Sequence, residues 1–203
     1  NIVVSDQSGK SNIISRLKTI GIEVDNEDPK IKKILNEVKD REFIGYSYDG
    51  ADASFELLAR RIIGEIPTYL TISEYDVSVK KNNKGKIISI AKAHILVDGN
   101  EVVCEGEGNG PVNALDNAIR KNVDKVGKYS KYLKDLKLVD YKVRILNTGT
   151  EAITRVSIES TDSKGKNWFT IGVSTNIIEA SFKALIDSLD YKLFKEQAPA
   201  SKL

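Results

Sequence analysis

Displacing the sequence by 66 residues, with no gap, lays part of the chain on itself: Tyr75 falls on Tyr141, Val77 on Val143, Gly99 on Gly165, Gly106 on Gly172, Ala114 on Ala180, Ala118 on Ala184 and Asp124 on Asp190. The coincident residues are structural punctuation. A turn glycine, the glycine after a strand and two small helix residues recur in register, and small residues are what let a helix axis approach a sheet closely. Such a duplication confines the chain to two copies of one supersecondary unit.

The first copy shows what the unit is. From Thr68 to Val79 apolar and polar residues alternate in part, and "NNKG" at Asn82 to Gly85 is a hairpin signal. The run from Ile87 to Val97 reads as a second strand, "DGN" at Asp98 to Asn100 as a turn, and Glu101 to Glu105 as a third strand. A helix is expected from Pro111 to about Val126. The fold class that follows is α+β: a small helical linker region over 1–67, with Pro67 at the boundary, then a duplicated βββα domain over 68–203 whose copies span about 68–127 and 138–195.

The leading region has helical periods. Ile13, Ile14, Leu17 and Ile20 precede a stop at Gly21, and Asp28 with Pro29 makes an N-cap and first turn ahead of Ile31, Ile34, Leu35 and Val38. A third helix is expected from Ala51 to Ile63, with Phe55, Leu58, Ala59 and Ile62 on one face and Gly64 ending it. Between the second and third lies "FIGYSYDGADAS", a loop of aromatics and glycines. The chain opens on "NIVVSD", a β-like run without lead-in, and holds no methionine, as expected of a piece cut from a longer protein.

Composition acts by exclusion. The chain has 203 residues, 40% hydrophobic and 30% charged, so it can bury a core. A formal charge of +2 argues against a dedicated nucleic-acid binder. The apolar runs fall short of the ~20 residues a bilayer helix needs, and no signal-peptide pattern opens the chain. Cys104 is alone and cannot form an intramolecular disulfide, as expected of a cytoplasmic protein.

Chemistry is most expected in "EVVCEGEGNGPVNALDNAIRK", Glu101 to Lys121, where an apolar run enters a loop with Gly106, Gly108 and Gly110 and Pro111 opens a helix pattern. The spacing is not G-x-G-x-x-G within a βαβ unit, and no P-loop lysine–serine pair follows. Two readings stay open. The loop is a helix start whose unpaired N–H groups suit a carboxylate or phosphate, or a tight turn needing positive φ. In the second copy "GVSTNIIEAS" puts Ser174, Thr175 and Asn176 at the equivalent helix start. They read either as half of a pocket for one small zwitterion or as ordinary caps.

Two further functions are weighed. His94, the only histidine, and Cys104 could form a catalytic pair, against a structural histidine and a buried thiol in an apolar run. One Cys and one His cannot make a zinc cluster. The lysines at 121, 125, 128, 131, 134, 137 and 142 read either as a nucleic-acid-binding run or as one solvated helix face diluted by Asp124 and Asp135.

Several motifs together carry a resemblance. "GEGNGPVNALDNAI", "YKVRILNTGTEAITRV" and "GVSTNIIEASFKALIDSLDYKL" resemble the C-terminal regulatory domain of the 2-isopropylmalate synthase and citramalate synthase family. "VSDQSGKSNI" and "GYSYDGADASFELLARR" resemble the linker of its bacterial citramalate synthases. The resemblance covers nearly the whole chain. It implies a parent acyltransferase that joins acetyl-CoA to pyruvate on a TIM barrel with a divalent metal; the barrel has no counterpart here, so this piece is expected to hold no cofactor and to be inactive alone. It also implies a homodimer that binds isoleucine as feedback inhibitor, with leucine the alternative of the isopropylmalate branch, and partners that include neither nucleic acid nor membrane. The implied effector residues are Gly108, Asn109, Gly110, Val112 and Asn113 from the first copy, and Tyr141, Ser174, Thr175 and Asn176 from the second. Ser8, Gly9 and Asn12 match a stretch that covers the partner's active site in the family.

Overall fold

A computed structural model describes residues 6–148 and 151–202 of the chain. The β-like run at 1–5 lies outside the described residues, and Asp6 already begins a helix.

The leading region is three helices, α1 (Asp6–Thr19), α2 (Pro29–Phe43) and α3 (Asp52–Ile62). α2 starts as its sequence dictates: the Asp28 carboxylate accepts from Lys30 N at 2.9 Å, and Pro29 occupies the first turn, where its missing N–H costs nothing. Gly21, at φ 81°, takes the left-handed conformation that closes α1. α3 differs from the one-faced helix expected: every residue from Ala53 to Ala59 is buried. It is wedged between the first two helices and the second βββα copy, and its polar side chains are partnered accordingly. Ser54 Oγ donates to Asp187 at 2.8 Å and accepts from Ile171 N at 2.9 Å, while Glu56 binds Arg60 at 2.9 Å and Lys195 at 2.7 Å.

Two three-stranded antiparallel sheets follow. β1 (Thr71–Lys81), β2 (Ile87–Val97) and β3 (Asn100–Gly108) form one, and β4 (Lys137–Thr148), β5 (Glu151–Thr161) and β6 (Asn167–Ser174) the other. Helices α4 (Pro111–Lys121) and α6 (Ile177–Lys195) complete the copies, with a single turn, α5 (Ser130–Leu133), between them. α4 stops five residues short of the expected Val126, because Asn122 turns back to donate to Ala118 O at 2.7 Å and Glu105 O at 2.9 Å. Two 3₁₀ turns fill the interval to α5.

The duplication is real but not ungapped. Even the β-bulges recur, between Ile72 and Glu74 and between Leu138 and Asp140. The middle strands, however, correspond at 65 residues: Ala91 pairs with Gly106, and Val156 with Gly172. One residue fewer separates Asn147 from its partner Ala152 than separates Lys81 from Ile87. The second turn, carrying Gly165, is one longer than the turn carrying Gly99, so the two indels cancel.

Both copies share one core. Ala91, Ala93 and Ile95 of the first sheet and Val156 and Ile158 of the second bury against α4 and α6 in a single cluster. β6 has two buried faces: Thr170 Oγ1 donates to Ala184 O of α6 at 2.8 Å, whereas Ile171 and Val173 join a second cluster with Leu17, Ile34 and Phe55 of the helical region. After α6 the tail returns to the first copy. Ser201 N donates to Thr68 O at 2.8 Å, Asp98 N to Ser201 Oγ at 2.8 Å, and Tyr129 OH to Pro199 O at 2.9 Å.

The joint between α3 and α6 is short of one positive charge. Arg61 divides its guanidinium between Asp187 Oδ1 at 2.9 Å and Asp190 Oδ2 at 3.0 Å, and Asp190 Oδ1 is buried with no partner among the described residues. Burial, opposed by Arg61 and reinforced by Asp187, pushes the Asp190 carboxyl up to about 7. The folded state therefore holds this proton more tightly than the unfolded chain, so stability falls as pH rises from about 4 through 7. Asp190→Asn should remove a decline of about 2–3 kcal/mol between pH 5 and 8 in urea-unfolding free energies. An unchanged slope would mean that another group titrates there.

Candidate functional site

Gly106, Gly108 and Gly110 are not among the positive-φ residues, so the turn reading does not hold. Close approach explains two of them: a Cβ on Gly106 would strike the Ala118 backbone, and one on Gly108 would lie 2.5 Å from Ala114 N. Gly172 is the counterpart of Gly106, its missing Cβ replaced by the Ala180 carbonyl. Gly110 is different. It is the N-cap of α4 in extended conformation (φ −158°), with open space where a side chain would go.

The two helix starts differ in chemistry. At α4 no side chain caps the helix. Asn113 Oδ1 accepts from Asn109 N at 3.2 Å, and Asn117 Nδ2 donates to Glu107 O at 2.8 Å, so the loop is braced from the side. Val112 is buried beneath it. At α6, Asn176 Oδ1 accepts from Ile178 N at 2.8 Å and Glu179 N at 3.4 Å. Ser174 Oγ donates to Glu179 Oε2 at 2.6 Å and accepts from Asn176 N at 3.1 Å; Thr175 is exposed. The hydrogen bond from Ser174, then Lys183, holds Glu179 below its ordinary range. The capping reading is thus satisfied at α6, whereas no side chain caps α4. Motif reading missed that Glu179 is drawn into this helix start by Ser174. A Glu in the first turn after an Asn cap was the available signal.

Within the chain these residues form two clusters, 108–113 and 174–176, and no hydrogen bond or ion pair joins them among the described residues. Tyr141 lies on β4 opposite Ile158, on the face that α6 covers elsewhere, yet it is 43% exposed. Val143 and Ile145 share that exposed face. Gly9 and Asn12 lie on α1.

The competing sites lose their geometry. Cys104 pairs with Ala93 on the buried face of the first sheet, whereas His94 pairs with Val103 on the opposite face, 3.6 Å from Glu101. Burial pushes the Cys104 thiol up, away from a reactive thiolate. The lysine run is not one helix face either: it crosses the end of α4, two 3₁₀ turns, α5 and β4. Lys125 and Lys128 are spent on Val103 O (3.3 Å) and on Asp98 (2.7 Å). Among the described residues no group of three or more His, Cys, Asp or Glu side chains could hold a metal ion. Among the described residues no helix is long and apolar enough to cross a membrane.

Two βββα copies on a common core, with polar groups gathered at helix starts, make a duplicated α+β domain. The chain belongs to the LeuA allosteric (dimerisation) domain family, which matches residues 49–193 and so takes in α3. It is 44% identical over 199 residues to an (R)-citramalate synthase of Aquifex aeolicus and 43% identical to one of Geobacter sulfurreducens, each match covering 97% of this chain and 37% of the relative. A probable 2-isopropylmalate synthase of Methanopyrus kandleri is 27% identical over 91% of the chain and 35% of its own length. The chain spans little more than a third of these relatives.

Proposed function

We propose that this chain is the effector-sensing part of a citramalate synthase, binding isoleucine as a feedback inhibitor in a homodimer. The observation that carries the reading is the contrast between the uncapped start of α4 and the self-capped start of α6. The N–H groups at Val112 and Asn113 would take the effector's carboxylate, and Glu179, flanked by Ser174 and Asn176, would take its ammonium from the second copy. Gly108, Asn109 and Gly110 give the approach, and Val112 and Tyr141 the apolar walls. Dimerisation is supported by the open apolar face of β4, since a face left uncovered by its own helix seeks another surface. Residues 1–67 would serve as the linker to a catalytic barrel that makes citramalate from acetyl-CoA and pyruvate. Isoleucine would act by favouring one arrangement of the dimer, a coupling typically worth ~1–3 kcal/mol.

The greater identity to citramalate synthases favours isoleucine over leucine. Calorimetric titration with both decides. Isoleucine is expected to bind more tightly; tighter binding of leucine would select the isopropylmalate branch, and no heat from either would remove the effector assignment.

A further inference from the structure

The face of the second sheet turned from α6 carries a like-charge pair. Arg144 of β4 lies directly opposite Arg155 of β5, and Lys142 lies opposite Ser157 one row along. Residues so placed have Cβ atoms roughly 4.5–5.5 Å apart, and like charges there are destabilising. Arg155 is nonetheless fixed, its Nε donating at 2.8 Å to the carbonyl of Gly45, in the turn after α2. Its terminal nitrogens, the Arg144 guanidinium, the Lys142 ammonium and the Ser157 hydroxyl have no acceptor among the described residues. The next acids along this face, Asp140 and Glu159, stand beyond the Lys142 row. Both are engaged there, Asp140 by Tyr141 N at 2.9 Å and Glu159 by Asn167 at 2.7 Å. Partial burial, then the Arg144 charge, pull the Arg155 guanidinium below the usual arginine range, and no acid opposes them.

Three cations and a hydroxyl without an acceptor ask for an anion of more than one charge. A carboxylate would neutralise a single guanidinium. Phosphate oxygens can take paired N–H bonds from both, and charge-assisted bonds of that kind are the strong ones. We propose that Lys142, Arg144, Arg155 and Ser157 form a binding site for a diphosphate group. It lies on the face of β4 opposite Tyr141, Val143 and Ile145, and apart from both helix starts. Arg144 is exposed and Arg155 half-buried, so the site is an open shelf whose affinity falls as salt screens it.

Two sources share this chemistry, the free inorganic ion and a nucleoside diphosphate. Titration calorimetry of the 203-residue chain with pyrophosphate and with ADP, at matched ionic strength, separates them. Tighter binding of ADP names a nucleotide; ADP no tighter than pyrophosphate names the inorganic ion. Arg144→Gln removes an exposed side chain that has no partner of its own, so the thermal midpoint should not fall. It should weaken pyrophosphate about tenfold or more. Lys80→Gln removes the same charge from the first sheet and should leave binding unchanged. No heat from either ligand overturns the site. Equal weakening by the two variants also overturns it, since net charge alone would then attract the anion. So does binding untouched by Arg144→Gln, which would put the anion elsewhere on the chain.

Discussion

Gly172→Ala is expected to cost about 3 kcal/mol or more and to lower the melting temperature by roughly 6–12 °C, at about 2–4 °C per kcal/mol for a chain of this size. The added Cβ would meet the Ala180 carbonyl and lie 2.8 Å from Ala184 N, and both are backbone atoms of a helix that cannot swing aside as a side chain would. Relief requires α6 to lift from the sheet. That movement would strain Thr170 Oγ1 to Ala184 O (2.8 Å) and Trp168 Nε1 to Ser188 O (3.2 Å) and would open the core at Ala180 and Ala184. Gly110→Ser is the control, since Gly110 has extended backbone and open space; it should shift the midpoint by no more than about 2 °C. Equal effects at the two positions would contradict the close-approach account. Differential scanning fluorimetry suffices to read both.

Lys192→Met should be comparably damaging, at about 3–5 kcal/mol. Lys192 Nζ is the hub of three carboxylates, Asp162 at 3.0 Å, Glu196 at 3.2 Å and Asp135 at 3.4 Å, and its side chain is 4% exposed. Asp162 is buried still deeper and also accepts from the backbone N–H of Lys164 at 2.9 Å and of Lys166 at 3.1 Å. Burial alone would push the Asp162 carboxyl up, but Lys192 and those N–H groups outweigh it and hold it below its ordinary range. Its contribution is therefore present at neutral pH and lost as pH falls through that lowered value. Removing Lys192 strands the charge, so the deficit in urea unfolding should be smaller at pH 4.5 than at pH 7. Adding Asp162→Asn should restore most of the loss, because neither charge then remains buried. A single variant within 1 kcal/mol of the parent would mean that the hub carries no net stability.

What the sequence disclosed follows the range of the forces involved. The start of α2 was legible because Asp28 and Pro29 act on neighbours one or two residues away. The duplication was legible because Gly106 and Gly172 answer to sterics that tolerate no substitute. The end of α4 was misjudged because apolar spacing continues through Val126, while Asn122 stops the helix by reaching back to Glu105. At the candidate site the residues were visible but their inequality was not. Ser174 and Asn176 close the start of α6 through the direction of two side chains, and nothing in a motif fixes a rotamer. The cavity of about 610 Å³ between the α2–α3 arm and α6 had no local signature at all, since Tyr48 and Phe182 come to line it only once α3 docks against α6.

The two cancelling indels constrain how such a chain can change. Either alone, without a bulge to absorb it, would slide β5 by one residue against a neighbour, and a one-residue slip exchanges the faces of a strand. Val156 and Ile158 would then point away from α6, and their polar neighbours Ser157 and Glu159 would enter the core. The hairpin beside Ala152 and the turn carrying Gly165 are in this sense one inheritable character. A loop graft between the copies, or between this chain and a relative, should succeed only when both connections travel together.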